Sequence, residues 1–220
     1  MKAMLSVLWD FLFPSRCPGC WREVRGRGGW CQDCLRRTLT PRRIPLGEME
    51  RAVLKQAWAL GRYHTALRDL ILPLKYRGRR DRLPYIETFL RAAAAGIPLS
   101  PTAGAIAVPV PLFPTREKER GFNQTELIFC DWLTKQGWTW RRALSRTRAT
   151  LPQHGLSAAA RTANVAGAFA VEPDTSVAGK HILLVDDIFT TGATLAAAAE
   201  TLCQGGAARV EALVLASDRL

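Results

Sequence analysis

Two carboxylates, three threonines and a glycine crowd into residues 186–194. In order they are Asp186, Asp187, Ile188, Phe189, Thr190, Thr191, Gly192, Ala193 and Thr194. The apolar run at 182–185 precedes them and is short enough to be a buried strand. A helical run at 195–203 follows. A strand, a short polar loop and a helix start together make a cradle for phosphate. The first amides of a helix lack internal partners, and the helix dipole favours an anion beside them. Gly192 permits close backbone approach, and threonine hydroxyls add short donors. Acids beside a phosphate site make chemical sense when the ligand is a sugar phosphate. They accept hydrogen bonds from ribose hydroxyls, or help to hold Mg²⁺.

A second constellation lies near the other end. Cys17 and Cys20 form one C-x₂-C pair, and ten residues later Cys31 and Cys34 form another. Pro18 and Gly19 suit a tight knuckle between the first two thiols. Four thiolates in this pattern read as a closed, structural zinc site, whose loss should unfold its module. Two disulfides or an iron–sulfur cluster are the alternatives, and a reducing compartment argues against disulfides. Cys130 and Cys203 fall in helical contexts, where core packing is expected.

The chain that must position these groups has 220 residues, 48% of them apolar and 23% charged. That composition excludes a disordered chain and permits a sizeable core. Residues 1–45 are expected to form the Cys₄ module, and 46–220 one α/β domain. Residues 1–14 are apolar but too short to span a bilayer, and Asp10 interrupts them. Leu5, Leu8, Trp9 and Leu12 sit at helical spacing and suggest an amphipathic helix. With no signal or spanning segment, the expected location is the cytoplasm, without stable membrane insertion. The formal net charge is +12. Residues 1–50, 51–100 and 101–150 carry +4, +7 and +4, whereas 151–220 carry −3. A polyanionic small ligand accounts for part of that excess, and nucleic acid is the natural second partner.

Between the two constellations the pattern is mixed. Pro41 and Pro45 suggest a linker, and residues 53–63 leave strand and helix–strand transition open. Residues 67–78 read as a helix that Pro73 should kink or end. A helix is expected over 83–95, a buried strand over 105–111 and another helix over 125–134. Arg116, Lys118, Arg120, Asn123 and Gln124 fill the polar stretch between those last two. Residues 144–156 are polar and poor in packing residues. A helix over 157–164 and strands over 165–171 and 208–216 complete the reading.

Residues 185–194 look like the phosphoribosyl diphosphate (PRPP) motif of type I phosphoribosyltransferases. That resemblance implies a parallel sheet flanked by helices, here with a small zinc-ribbon-like module at its N-terminal side. The set as a whole resembles the ComF (ComFC/GntX-like) family. The matching pieces are the four cysteines, Leu74 to Gly78, Val108 to Pro111, Arg120 to Gln124, the series Arg146, Gln153, Arg161 and Asn164 ending at Ala168 and Phe169, and the acidic motif. The resemblance implies that Asp186 and Asp187 meet the ribose hydroxyls and the Mg²⁺–PRPP unit. Thr190, Thr191, Gly192, Ala193 and Thr194 would cradle the 5′-phosphate. Arg116, Arg120 and Lys75 would face pyrophosphate, and Arg146, Gln153, Arg161 and Asn164 would line a flexible loop closing over the ligand. It also implies a role in natural transformation, with single-stranded DNA and a competence helicase as partners.

Two functions fit these expectations. One is a module that binds PRPP and single-stranded DNA. The other is an active phosphoribosyltransferase of unknown acceptor. Fold alone does not choose between them.

Overall fold

The structure is a computed structural model that describes residues 15–149 and 158–219. The helix expected within residues 1–14 lies outside the described residues, as do Gln153 and His154. One sheet has the strand order β1 (Leu39–Arg43), β2 (Ala57–Arg62), β8 (Arg209–Ser217), β7 (His181–Phe189), β3 (Ile106–Pro109), β4 (Thr139–Trp140). β1 pairs antiparallel with β2, and every other neighbour is parallel. A small antiparallel pair, β5 (Leu144–Arg146) and β6 (Phe169–Val171), stands apart.

Parallel strands covered on both faces read as continuous apolar runs, and β7 shows the reason. Ile182 and Leu184 enter one core, while Leu183 and Val185 enter the other. The first core is closed by α2 (Glu48–Val53) and α8 (Ala193–Gln204), the latter through Leu195, Ala198, Ala199 and Leu202. The second is closed by α3 (Thr65–Arg77), α4 (Leu83–Ala93) and α6 (Gln124–Thr134). Among the described residues, no helix is long and apolar enough to cross a membrane.

Several local expectations change. Pro41 lies within β1, so the stretch read as a linker is a sheet edge, where a missing amide donor is tolerated. Pro73 does not end α3, which runs on to Arg77. Leu70, Ile71 and Leu74 are all buried around that proline, and their burial outweighs the lost hydrogen bond. The helix stops at Gly78, whose φ of 61° is left-handed. A short helix, α5 (Pro114–Arg120), occupies the expected polar loop, with proline at its first turn. Residues 53–63 resolve into the end of α2 and strand β2. Cys203 is exposed and Cys130 only half-buried, so neither thiol is a core residue.

The cysteine module, which contains α1 (Gln32–Thr38), is docked on α4. The Trp30 indole N–H donates to the Tyr85 carbonyl at 2.9 Å, and its ring lies 5.8 Å from that of Phe89. Gly28 has φ +77°, and a Cβ there would meet the Pro84 backbone at 2.5 Å. Gly26, at φ +76°, has nothing within 4 Å of such a Cβ. Gly26→Ala should therefore cost only the left-handed backbone penalty of about 1–2 kcal/mol. Gly28→Ala should cost that plus a backbone clash, about 1–3 kcal/mol more. Urea unfolding of the two variants checks this difference.

Candidate functional site

β3 and β7 part company where the site begins. Their pairing ends with Pro109 opposite Val185, and the Val110 N–H still reaches the Val185 carbonyl at 2.9 Å. β7 continues beside β8, with Asp186 opposite Val214 and Ile188 opposite Ala216. The acids therefore belong to the strand, which ends at Phe189, four residues beyond the end that the apolar run suggested. Ligands in open α/β sheets lie outside the carboxyl ends of strands, and a cleft of about 290 Å³ opens at this point.

Asp187 points to the α3 side, where the Lys75 ammonium donates to its Oδ1 at 2.8 Å. Its side chain is 2% exposed. The other oxygen, Oδ2, is buried and has no hydrogen-bond partner among the described residues. Burial opposes the charge on Lys75, but Asp187 and then Asp186 outweigh it and hold its pKa above the ordinary value. Asp186 behaves differently. Burial, and after it the charge of Asp187, push its carboxyl up to about 7. Its Oδ1 accepts the Asp187 N–H at 2.8 Å and the Thr125 hydroxyl at 3.4 Å.

The loop after β7 turns at Gly192, whose φ is +82°. A Cβ there would lie 2.4 Å from the Glu50 carboxylate and 2.7 Å from the Phe189 ring. Gly192 is thus required both by its backbone and by its surroundings. It stands at the N-cap of α8 without a side-chain cap, and all of Thr190, Thr191, Gly192, Ala193 and Thr194 line the cleft. The Thr191 hydroxyl accepts the Ala193 N–H at 3.5 Å, a long contact that a better acceptor would displace.

The opposite wall carries positive charge. Arg116 and Arg120 line the cleft from α5, and Arg146 lines it from β5. Arg120 donates to the Gln124 side chain, and burial lowers its pKa. Burial likewise lowers that of Arg146, whose guanidinium lies 5.4 Å over the Phe169 ring. Asn123 holds the loop instead of offering a free donor. Its Oδ1 caps Thr125 at 3.0 Å, and its Nδ2 donates to the Val110 carbonyl at 3.0 Å. Lys118 is exposed and does not line the cleft. Arg161 and Asn164 lie on α7 (Ala158–Val165), and the Asn164 carbonyl accepts from Arg148 at 3.3 Å. Gln153 lies outside the described residues.

Three features had no signal in the sequence. Glu50 is buried beneath Gly192 and is held by Arg219 at 2.5 Å, a contact between residues 169 apart in the chain. Tyr63 and Tyr76 form an aromatic mouth to the cleft. Leu72 completes that mouth from α3.

The four thiols Cys17, Cys20, Cys31 and Cys34 come together, with every sulfur within 4.8 Å of the others. The Cys20–Cys31 separation is 3.7 Å. Tetrahedral Zn–S bonds of about 2.3 Å demand a sulfur–sulfur distance of about 3.8 Å, so the cluster fits the ion. The Cys34 N–H, 3.4 Å away, leads in pulling the Cys31 thiol down to about 7. Burial pushes Cys34 up to about 12, a cost that coordination as thiolate offsets.

Two family models match this chain. The phosphoribosyl transferase domain matches residues 144–219, and the double zinc ribbon domain matches residues 8–45. The latter span holds thiols for one ion only. The chain is therefore a phosphoribosyltransferase-fold protein with a structural zinc module. It is similar to the DNA utilization protein YhgH of Salmonella typhi, 33% identical over 207 residues covering 89% of this chain and 87% of that protein. The namesake of Escherichia coli K12 is 38% identical over 158 residues, 68% of this chain and 66% of its own. The competence protein ComFC of Bacillus subtilis is 28% identical over 194 residues, 87% of this chain and 73% of its own. The chain belongs to the ComF family.

Asp186 makes stability depend on pH. Unfolded, the group ionises near pH 4, whereas in the fold it holds its proton to about 7. Between these values the folded state binds the extra proton, so stability falls as pH rises. Without added magnesium, Asp186→Asn should melt above the wild type at pH 7, with the gap closing towards pH 4. Thermal unfolding across that range reads the effect, and a gap independent of pH would contradict it.

Proposed function

We propose that the protein binds a Mg²⁺–PRPP unit in this cleft and acts on single-stranded DNA in the cytoplasm, in DNA uptake or use. The observation that carries the small-molecule part is the Oδ2 of buried Asp187, which has no hydrogen-bond partner among the described residues and is placed beside a glycine-turned helix start. A buried carboxylate oxygen without a donor is costly, and a ribose hydroxyl or hydrated cation relieves it. Asp186 and Asp187 would hold the ribose side, and residues 190–194 the 5′-phosphate. Arg116, Arg120 and Arg146 would face the diphosphate, where guanidinium donors are suited to phosphate oxygens. The DNA part is supported by the basic excess of residues 1–150 and by the names of the relatives, a DNA utilization protein and a competence protein.

The second reading is an active transferase, favoured by the three arginines in one cleft. The bond from C1 of ribose to pyrophosphate would break, with its electron pair leaving on the diphosphate. An acceptor nucleophile would form the new bond at C1. Mg²⁺, when bound, would neutralise charge on the leaving group. The chain's own part is to position the two reactants, to surround the departing oxygens with guanidinium donors and to keep the nucleophile facing C1.

Calorimetric titration of zinc-loaded protein with PRPP should show binding that requires magnesium. Asp187→Ala should weaken it at least about tenfold, or ~1.4 kcal/mol. Gly192→Ala should abolish it, because the added Cβ meets Glu50 and Phe189. Absence of binding by the wild type sinks the small-molecule proposal. Release of pyrophosphate with any of a panel of bases or nucleotides, lost in Asp187→Ala, supports the transferase reading. Binding without release for every acceptor contradicts that reading.

A further inference from the structure

Next to the cleft lies a second groove, of about 480 Å³, between the cysteine knuckle and α3. Trp21 and Tyr76 both line it. They are 66% and 72% exposed, and no other aromatic residue is exposed among the described residues. Ordinary surface economy would hide such rings. Trp21 is also held at φ +61°, a left-handed conformation unfavourable for a bulky side chain. The knuckle fixes it there: the Trp21 N–H donates to the Cys17 carbonyl at 2.9 Å, and the Cys17 N–H donates to the Arg22 carbonyl at 2.8 Å. The metal module thus presents an indole outward instead of burying it.

Charge surrounds the rings. Arg16, Arg77 and Arg82 line the groove with one carboxylate, Asp69, while Arg16 and Arg82 also pair with Glu23 at 3.9 Å and Asp81 at 3.5 Å. Arg77 makes no ion pair among the described residues, whereas Arg79 is committed to Asp81 by two bonds of 2.8 Å. Exposed rings flanked by arginines match one class of ligand closely. Single-stranded nucleic acid offers bases to stack and phosphates to neutralise at each step, and both terms tolerate any sequence. An acidic peptide would use the arginines but leave the rings unpartnered.

The groove is also continuous with the cleft, because Leu72 and Tyr76 line both. We infer that a single strand of nucleic acid lies across the knuckle and α3, with bases stacked on Trp21 and Tyr76, and that it runs into the mouth of the phosphoribosyl cleft. This rests on the proposed DNA role and supplies its surface. Tyr76 is the shared wall, so the strand and the cleft's ligand meet there.

The test uses the full zinc-loaded chain and a fluorescent oligothymidylate of about twenty residues, read by anisotropy at several salt concentrations. Trp21→Ala should weaken binding at least about fivefold, the lower range for one stacked base. Trp21→Phe should restore most of it, and Arg77→Ala should lower the salt slope by about one. Trp21→Ala should leave zinc content and magnesium-dependent PRPP binding unchanged, which excludes simple unfolding. If the wild type binds the strand but Trp21→Ala and Tyr76→Ala bind it equally well, the groove assignment is wrong while the DNA role stands. If the wild type does not bind the strand, both fall. Equal, ring-independent binding of polyglutamate would also overturn the stacking assignment.

Discussion

A carboxylate buried as deeply as that of Asp187 calls for a cation supplied from within the fold. Lys75 supplies it from the last turn of α3, at 2.8 Å. Removing one member of such a buried pair costs about 3–5 kcal/mol, because the other is left charged and dry. The site therefore depends on α3 reaching Lys75 in helical register, past Pro73. It does so because Leu70, Ile71 and Leu74 anchor that turn in the core. The pair also divides the labour of the two acids. Asp187 is paired with Lys75, while burial, followed by the charge of Asp187, pushes the Asp186 carboxyl up to about 7.

Around this pair, the geometry follows from strands parting. β3 leaves β7 at two prolines that cannot sustain a ladder. β8 continues, so β7 stays straight and carries its acids to the lip of the opening. Glu50 and Arg219 brace the phosphate loop from below. A carboxylate under a phosphate site looks unfavourable, but its charge is committed to Arg219, and that guanidinium lies 5.5 Å over the Phe189 ring. What Glu50 contributes at the loop is shape: it fills the space where a side chain at position 192 would go.

Much of this was legible beforehand, for reasons specific to each residue. Residues 182–185 announce a strand buried on both faces because four apolar side chains in a row have no other use there. The cysteine spacing announces a metal knuckle because four thiols so close in sequence must be close in space. The acids, threonines and Gly192 announce a sugar-phosphate site because each residue type is chemically required. What escaped is what long-range contact decides. Nothing local marks Glu50 as the floor of a loop 142 residues onward, or Tyr76 as the wall between two grooves. Pro41 was misjudged because a sheet edge tolerates a missing donor, and the helix runs on past Pro73 because core packing overrides a local breaker. Asn123 shows the same limit, because its role in bridging the Val110 carbonyl and the Thr125 N–H is set by contacts that the sequence does not display.

The account's central claim is that β7, the Gly192 loop and the Lys75 turn form one ligand site. Hydrogen–deuterium exchange of the full chain, with and without magnesium and PRPP, tests it most directly. Ligand should slow exchange in peptides covering residues 186–196, with smaller protection around residues 73–78 and 110–124. Protection elsewhere, or no change in residues 186–196 at saturating ligand, would contradict the account.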